Sequence, residues 1–235
     1  MLYVLFLSLC FSIHISCSYR KIKWYLVFSF RSMYPSPLIP PTRQKLVDIF
    51  LTMNSQLNLS AIRDAEGVYV KHILDSLELT KIFDLTQYRS VSDVGTGWGF
   101  PLLALAQEVD SKQWDSFTKF TGIDARRKKV DAVNTMIAEL GLTNAKAIRS
   151  RIEDHHQTYD IVTARAVAYI TELLPRCVPL CRIGWLICLY KQDLHEEYDA
   201  MMALLPKYKL QLKQKHLYHL FDGDVQRVIY VLERI

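Results

Sequence analysis

Residues 92–106 read SDVGTGWGFPLLALA, with Gly95, Gly97 and Gly99 in alternate positions between two apolar runs. Glycines spaced in this way permit positive φ and let a ligand approach the main chain with no Cβ in the way. A strand that runs into such a turn and then into a helix also aims backbone N–H groups at what lies above it. The turn therefore invites a nucleotide-like ligand, with an ordinary strand–helix turn as the alternative. The dinucleotide fingerprint is G-x-G-x-x-G. Here the third glycine comes one residue early, and Phe100 stands in the sixth position. A bulky Phe100 followed by Pro101, a residue suited to the first helical position, fits a smaller ligand without phosphates better than a pyrophosphate. Asp124, at the end of the next strand candidate and 25 residues past Gly99, stands where an acid takes ribose hydroxyls. The spacing exceeds the usual ~20 residues because EVDSKQWDSFTK lengthens the loop. An adenosyl ligand without phosphates, with Gly95, Thr96, Gly97, Gly99 and Phe100 around it and Asp124 on its ribose, indicates S-adenosylmethionine.

Outward from this turn the chain alternates. Strand candidates cover 90–94, 117–123, 145–148, 160–163 and 185–190; helix candidates cover 101–107, 126–140, 170–177 and 194–204. Such alternation predicts an α/β fold with a mostly parallel sheet and helices on both faces. Two strand-like runs, 210–219 and 225–232, flank the turn FDGD and predict an antiparallel hairpin on that sheet. Before the first strand the pattern is helical. Leu46, Ile49, Phe50 and Met53 recur at three- and four-residue spacing, and Val70, Ile73, Leu74, Leu77 and Ile82 share one side of 68–83. The organisation predicted is an apolar and basic leader with a proline-rich linker over 1–40, a helical cap over 41–87, and a Rossmann-like domain over 88–235.

Composition agrees with one globular body. Half of the 235 residues are hydrophobic, and there are only 8 glycines and 8 prolines. The net charge of +5 is confined to residues 1–60, which hold six basic residues and one acid; the remainder carries 23 of each sign. Nucleic-acid binding by the body must therefore rest on local clusters. The five cysteines form no C-x-x-C pair and read as buried thiols in a reducing compartment, which implies a cytoplasmic protein without a metal site. Residues 1–16 are almost wholly apolar, with basic residues after them, the reverse of a secretory signal. They are shorter than the roughly 20 residues that span a bilayer. The expectation is a translated upstream stretch, with the functional protein beginning near Met33. Membrane contact through residues 1–30 is the alternative.

The segments NLSAIRD, VKHILDSLEL, SDVGTGWGFPLLALA, SRIED and ARAVA, in this order, resemble the RsmG (GidB) family of small-subunit ribosomal RNA methyltransferases. The resemblance runs from about Leu46 to the carboxyl end. It implies a class I methyltransferase with a seven-stranded sheet behind a helical amino-terminal cap. It also implies a monomer that transfers a methyl group from S-adenosylmethionine to N7 of a guanine in 16S rRNA of the small ribosomal subunit. By the same resemblance Gly95 and Phe100 contact the cofactor, Ile152 and Glu153 line its adenine, and Arg165 lies near its methionine part, where it can pair with a carboxylate.

Guanine N7 carries a free lone pair, so its methylation needs alignment and water exclusion and no general base. The sequence agrees: TARAVA follows the fourth strand, with no Asn-Pro-Pro-Tyr motif and no Pro-Cys pair. Substrate contacts are expected from Asn58 and His72 of the cap, from the basic run Arg126, Arg127, Lys128 and Lys129, and from Lys191 and Arg227 at the later strands. A solvated helix face is the plainer reading of the basic run, and a core histidine that of His72. The chain departs from the family pattern at Leu102, at Ala125 and at Gln192, where glycine, serine and glycine are usual. A same-fold methyltransferase acting on another RNA or on protein, and a non-catalytic ribosome- or membrane-associated relative, remain the competing functions.

Overall fold

Pro41 opens the first helix at a position that needs no N–H, and Asn58, at φ 56°, closes it in the left-handed conformation. This helix, α1 (Pro41–Leu57), buries Leu46, Val47 and Phe50 completely. The computed structural model describes residues 38–112, 117–220 and 225–235. The leader expected from the sequence, the start near Met33 and the FDGD turn lie outside the described residues. No helix among the described residues is long and apolar enough to cross a membrane.

The second helical segment is not uniform. Asp64 caps α2 (Ala65–Val68) by accepting from the Gly67 N–H at 2.7 Å. A π-helical turn, Tyr69–Leu74, follows, then a short α3 (Asp75–Leu77) and a 3₁₀ turn, Glu78–Lys81. The rest alternates as β1 (Ser90–Val94), α4 (Leu102–Lys112), β2 (Lys119–Asp124), α5 (Arg127–Leu140), β3 (Ala145–Arg149), β4 (Tyr159–Arg165), α6 (Ile170–Cys177), β5 (Cys181–Gln192), α7 (His195–Leu204), β6 (Leu210–Tyr218) and β7 (Arg227–Arg234). The seven strands form one sheet in the order β3-β2-β1-β4-β5-β7-β6. The first five are parallel, and β7 runs antiparallel to both β5 and β6. The order reverses between β1 and β4, which opens a crevice at the carboxyl ends of these two strands.

Several elements exceed the lengths read from the sequence, β4 among them, which spans 159–165 and not 160–163. Helix α4 runs on to Lys112 through the polar EVDSK, and β5 starts at Cys181, its pairing with β4 shifted in register near Tyr159. Helix α4 begins at Leu102, one residue after Pro101, and the Phe100–Pro101 peptide bond is cis.

Alternate residues of β7 enter opposite layers. Ile229 and Val231 join the cluster that holds the cap with α4 and α5, whereas Val228, Tyr230 and Leu232 join the cluster of α6 and α7. The cap thus shares one core with the sheet. It is also moored by buried Arg43, whose guanidinium donates to Gln107 at 2.7 Å and pairs with Glu108 of α4.

Leu102, which departs from the family pattern, has a physical account. It is fully buried, and a Cβ added to Gly122 of β2 would lie 2.8 Å from its Cδ2 and 2.9 Å from the Thr96 Cγ2. The absent side chain at 122 is the space the leucine occupies. Gly122→Ala is therefore expected to destabilise the fold by about 1–3 kcal/mol through overpacking. Part of that loss, the share due to Leu102 and not to Thr96, should return in the Leu102→Ala background. Urea unfolding of the two single variants and the double variant measures it, and additive losses would refute the complementarity.

Candidate active site

The glycine turn lies at the carboxyl end of β1. Gly95, Gly97 and Gly99 have φ of 66°, 57° and 94°. At two of them packing also excludes a side chain: a Cβ would lie 2.8 Å from Val167 Cγ2 at Gly95 and 2.6 Å from Leu103 Cδ1 at Gly99. At Gly97 a Cβ would make only ordinary contacts, 3.7 Å from the Gly95 carbonyl oxygen and 3.9 Å from Lys129 Nζ, so only its φ calls for glycine. The turn is tied down by the Thr96 N–H on the Ile123 carbonyl at 3.0 Å and the Gly99 N–H on the Thr96 carbonyl at 2.8 Å.

Asp124 at the end of β2 completes this side. Its Oδ2 accepts from the Gly97 N–H at 3.1 Å and its Oδ1 from the Arg126 N–H at 2.9 Å. Each oxygen keeps acceptor capacity for a ligand hydroxyl. Lys129 Nζ lies 3.7 Å from the same carboxylate and 5.4 Å from the centre of the Trp98 ring. The Ser150 N–H donates to the Asp124 carbonyl at 3.2 Å, so SRIED leaves β3 beside Asp124. There Ile152 is half-buried, and Glu153 pairs with Arg176 at 3.3 Å.

The opposite wall is built by the cap. Arg165, the last residue of β4, pairs with Asp75 at 2.9 Å and reaches the carbonyls of Lys71 and His72 at 3.4 and 3.3 Å. The π-helical turn supplies those carbonyls, and the His72 carbonyl also accepts from the Ser76 hydroxyl at 2.5 Å. His72 stacks on Phe100 at 5.0 Å between centroids, and the Arg165 guanidinium lies 5.9 Å from the centre of the Phe100 ring. His72 Nδ1 lies 3.3 Å from Arg165 and Nε2 3.3 Å from the Ser60 hydroxyl. His72 is thus packed between Phe100 and Arg165, and both ring nitrogens are engaged.

Between Arg165 and the later strands lies a cavity of about 270 Å³, bordered by Asp75, Ala166, Lys191, Tyr218 and Arg227. This is smaller than the ~300–1,000 Å³ of pockets for drug-sized ligands. Asp75 is its hub: the Tyr218 hydroxyl donates to Oδ1 at 2.7 Å, and Arg227 lies 3.6 Å from the same oxygen. Lys191 borders the cavity, but its ammonium is committed to the Ala168 carbonyl at 2.6 Å and Glu197 at 2.9 Å.

The remaining predicted substrate residues lie elsewhere. Arg126 precedes α5, and Arg127 and Lys128 line a surface groove with Met53 and Leu57 of α1. Arg127 is paired with Asp131 at 3.4 Å. Asn58 receives the Arg63 guanidinium. Sequence reasoning missed the Asp75 hub and also Asp93, whose buried carboxyl accepts from the Thr163 hydroxyl at 3.3 Å. The signal for Asp93 is an acid inside the apolar strand SVSDVG, directly before the glycine turn. The buried Thr96 and Thr163 hydroxyls both face the Asp93 carboxyl and favour its charged form against the effect of burial. Among the described residues no group of three histidine, cysteine or carboxylate side chains could hold a metal ion.

Two titrations at this site have opposite signs. Burial, reinforced by the Arg165 and Lys71 cations, lowers the His72 pKa from 6.5 to about 3. Its contribution to stability is full above 6.5 and is lost as pH falls toward 3. Burial raises the Asp93 pKa from 3.8 to about 6, so its contribution is full below 3.8 and is lost as pH rises through 6. On acidification from about pH 8 to about pH 4, a His72→Phe variant should therefore lose less stability than the parent protein. Urea midpoints at the two pH values check this; equal losses would show that His72 titrates normally in the folded state.

The chain is similar to known proteins in both sequence and fold. A family model described as GidB, rRNA small subunit methyltransferase G, matches residues 41–224. The ribosomal RNA small subunit methyltransferase G of Lysinibacillus sphaericus is 31% identical over 199 residues, covering 82% of this chain and 81% of that protein. The protein of the same name from Exiguobacterium sibiricum is 32% identical over 198 residues, covering 81% of each. Among solved structures, an O-methyltransferase from Bacillus cereus in complex with SAH superposes with a TM-score of 0.57 at 15% identity, covering 90% of this chain and 99% of that one. NSun6 from Pyrococcus horikoshii with SFG gives 0.56 at 11% identity, covering 69% and 52%. The structural likenesses establish the class I methyltransferase fold, and the sequence matches settle the family: the chain belongs to the GidB, or rRNA small subunit methyltransferase G, family.

Proposed function

We propose that the protein transfers the methyl group of S-adenosylmethionine to N7 of a guanine in 16S rRNA of the small ribosomal subunit. The observation that carries this reading is the Asp124 carboxylate held on the Gly97 N–H beside the glycine turn, with the Arg165–Asp75 cavity across the crevice. The residues fit the cofactor. Gly97 leaves room for close approach, Asp124 retains acceptor capacity for ribose hydroxyls, and Ile152 with Glu153 follows β3 next to Asp124 on the adenine side. The buried Asp93 carboxyl just before the turn favours a positively charged ligand there. When bound, the sulfonium supplies an electrophilic methyl group.

The chain's own residues then position and enclose. Phe100 and His72 form an aromatic wall, and Arg165, fixed by Asp75, offers a cation at the cavity. Arg227 adds a second cation, and the exposed Arg126, Arg127 and Lys128 suit phosphate contacts further along the RNA. Among the described residues that line the cavity, none is arranged as a base. The Asp75 oxygens are taken by Arg165 and Tyr218, Glu197 by Lys191 and the Ile170 N–H, and burial raises the Tyr190 and Tyr218 hydroxyls above their ordinary range. This suits an acceptor nitrogen that has no proton to lose. A cavity of about 270 Å³ suits one base taken out of its stack.

Incubation of small subunits lacking the modification with protein and S-adenosylmethionine should create one new 7-methylguanine, mapped by chain cleavage. An unchanged pattern on both subunits and naked rRNA would overturn the substrate assignment. Asp124→Ala should weaken S-adenosylmethionine binding by roughly 10- to 100-fold, the value of hydrogen bonds to a charged group. Isothermal titration measures this, and unchanged affinity would remove Asp124 from the cofactor site.

A further inference from the structure

The loop from β4 into α6 is pinned at two neighbouring points. Lys191 Nζ donates to the Ala168 carbonyl at 2.6 Å, and Glu197 Oε1 accepts from the Ile170 N–H at 3.3 Å. The same Glu197 oxygen takes the Lys191 ammonium at 2.9 Å, with both side chains only 10% exposed. Tyr169 lies between the two pinned residues and is 71% exposed. A single exposed aromatic is ordinary on a protein surface. What distinguishes Tyr169 is a backbone fixed on both sides by a nearly buried ion pair, in a loop that borders the candidate substrate cavity. Ala166, in the same loop, lines that cavity with φ of 53°, a conformation a non-glycine residue holds only under constraint from its surroundings. Leu194, 48% exposed, and the cations Arg165 and Arg227 line it too.

An exposed aromatic on a pinned backbone, in the loop that borders a cavity with cations at its wall, has the chemistry of an unpaired-nucleotide site. The cations meet phosphate, while the ring stacks on a base of any identity. Tyrosine does this at little entropic cost, because it has few rotamers to lose. We propose that Tyr169 is a stacking platform for a base neighbouring the target guanine, and that Lys191 and Glu197 are positioning residues that hold it there. This rests on the RNA substrate argued above. It also gives Lys191 a role different from direct substrate contact.

The test uses the full chain with a labelled single-stranded RNA copied from 16S rRNA, read by fluorescence anisotropy, alongside methylation of small subunits. Tyr169→Ala should weaken RNA binding about ten-fold, raise KM for RNA more than it lowers kcat, and leave S-adenosylmethionine affinity unchanged. Tyr169→Phe should bind as the parent does. Glu197→Gln should weaken RNA binding in the parent but add little in the Tyr169→Ala background, a non-additivity that a merely structural role does not produce. The proposal is overturned if Tyr169→Ala binds RNA within about two-fold of the parent, or if the two substitutions are additive. If the parent binds RNA through Tyr169 and yet adds no methyl group, the guanine-N7 reading fails while the stacking site stands.

Discussion

The Arg165–Asp75 ion pair is the joint on which the site depends. Arg165 ends β4, Asp75 sits in the cap, and the pair is the polar link that places one over the other. Both partners are largely withdrawn from water; removing Asp75 would leave the Arg165 charge uncompensated at a cost of about 3–5 kcal/mol, whereas without Arg165 the carboxylate would keep Arg227 and Tyr218. Such a pair is weak evidence for stability, because desolvation offsets much of the attraction. Its value here is orientation. With one oxygen on Arg165 and the other on Tyr218 near Arg227, Asp75 sets the distance between two cations on either side of one cavity.

Around this joint the cap is welded, not hinged. Arg43 reaches α4 at one end, His72 stacks on Phe100 in the middle, and the Tyr190 hydroxyl donates to the Ser76 carbonyl at 2.8 Å beneath. The cofactor half of the crevice has a different character. Its glycines and Asp124 are fixed by backbone bonds within the turn and to β2, with only Phe100 at the end of the turn packed on the cap. One half is organised by the alternation of strands and helices, the other by side-chain pairing between segments some ninety residues apart in sequence.

That division explains what could be read from the sequence. Gly95 to Gly99 and Asp124 are legible because local backbone geometry demands them, and the sheet because apolar runs alternate with helical periodicity. The cap was legible as helix but not as a π-helical turn: within six residues, spacing cannot tell 3.6 residues per turn from a wider one. Lys191 looked like a substrate cation because its partner Glu197 comes after a strand end and a turn, and only folding brings the carboxylate round. Asp75 was visible as one acid in VKHILDS, while its partners Arg165, Tyr218 and Arg227 are each some ninety or more residues away. The early start of β5 was hidden because CRIG is mostly exposed, and only the pairing with β4 makes it strand.

The π-helical turn also fixes the phase of the cap. One residue fewer between Tyr69 and Leu74 would restore ordinary α-helical bonding and strengthen the local helix. It would also rotate everything after it by about 100° about the helix axis. Asp75 would then point away from β4, and Arg165 would keep its charge with nothing opposite it. The helix is locally imperfect so that its carboxylate arrives at the right angle.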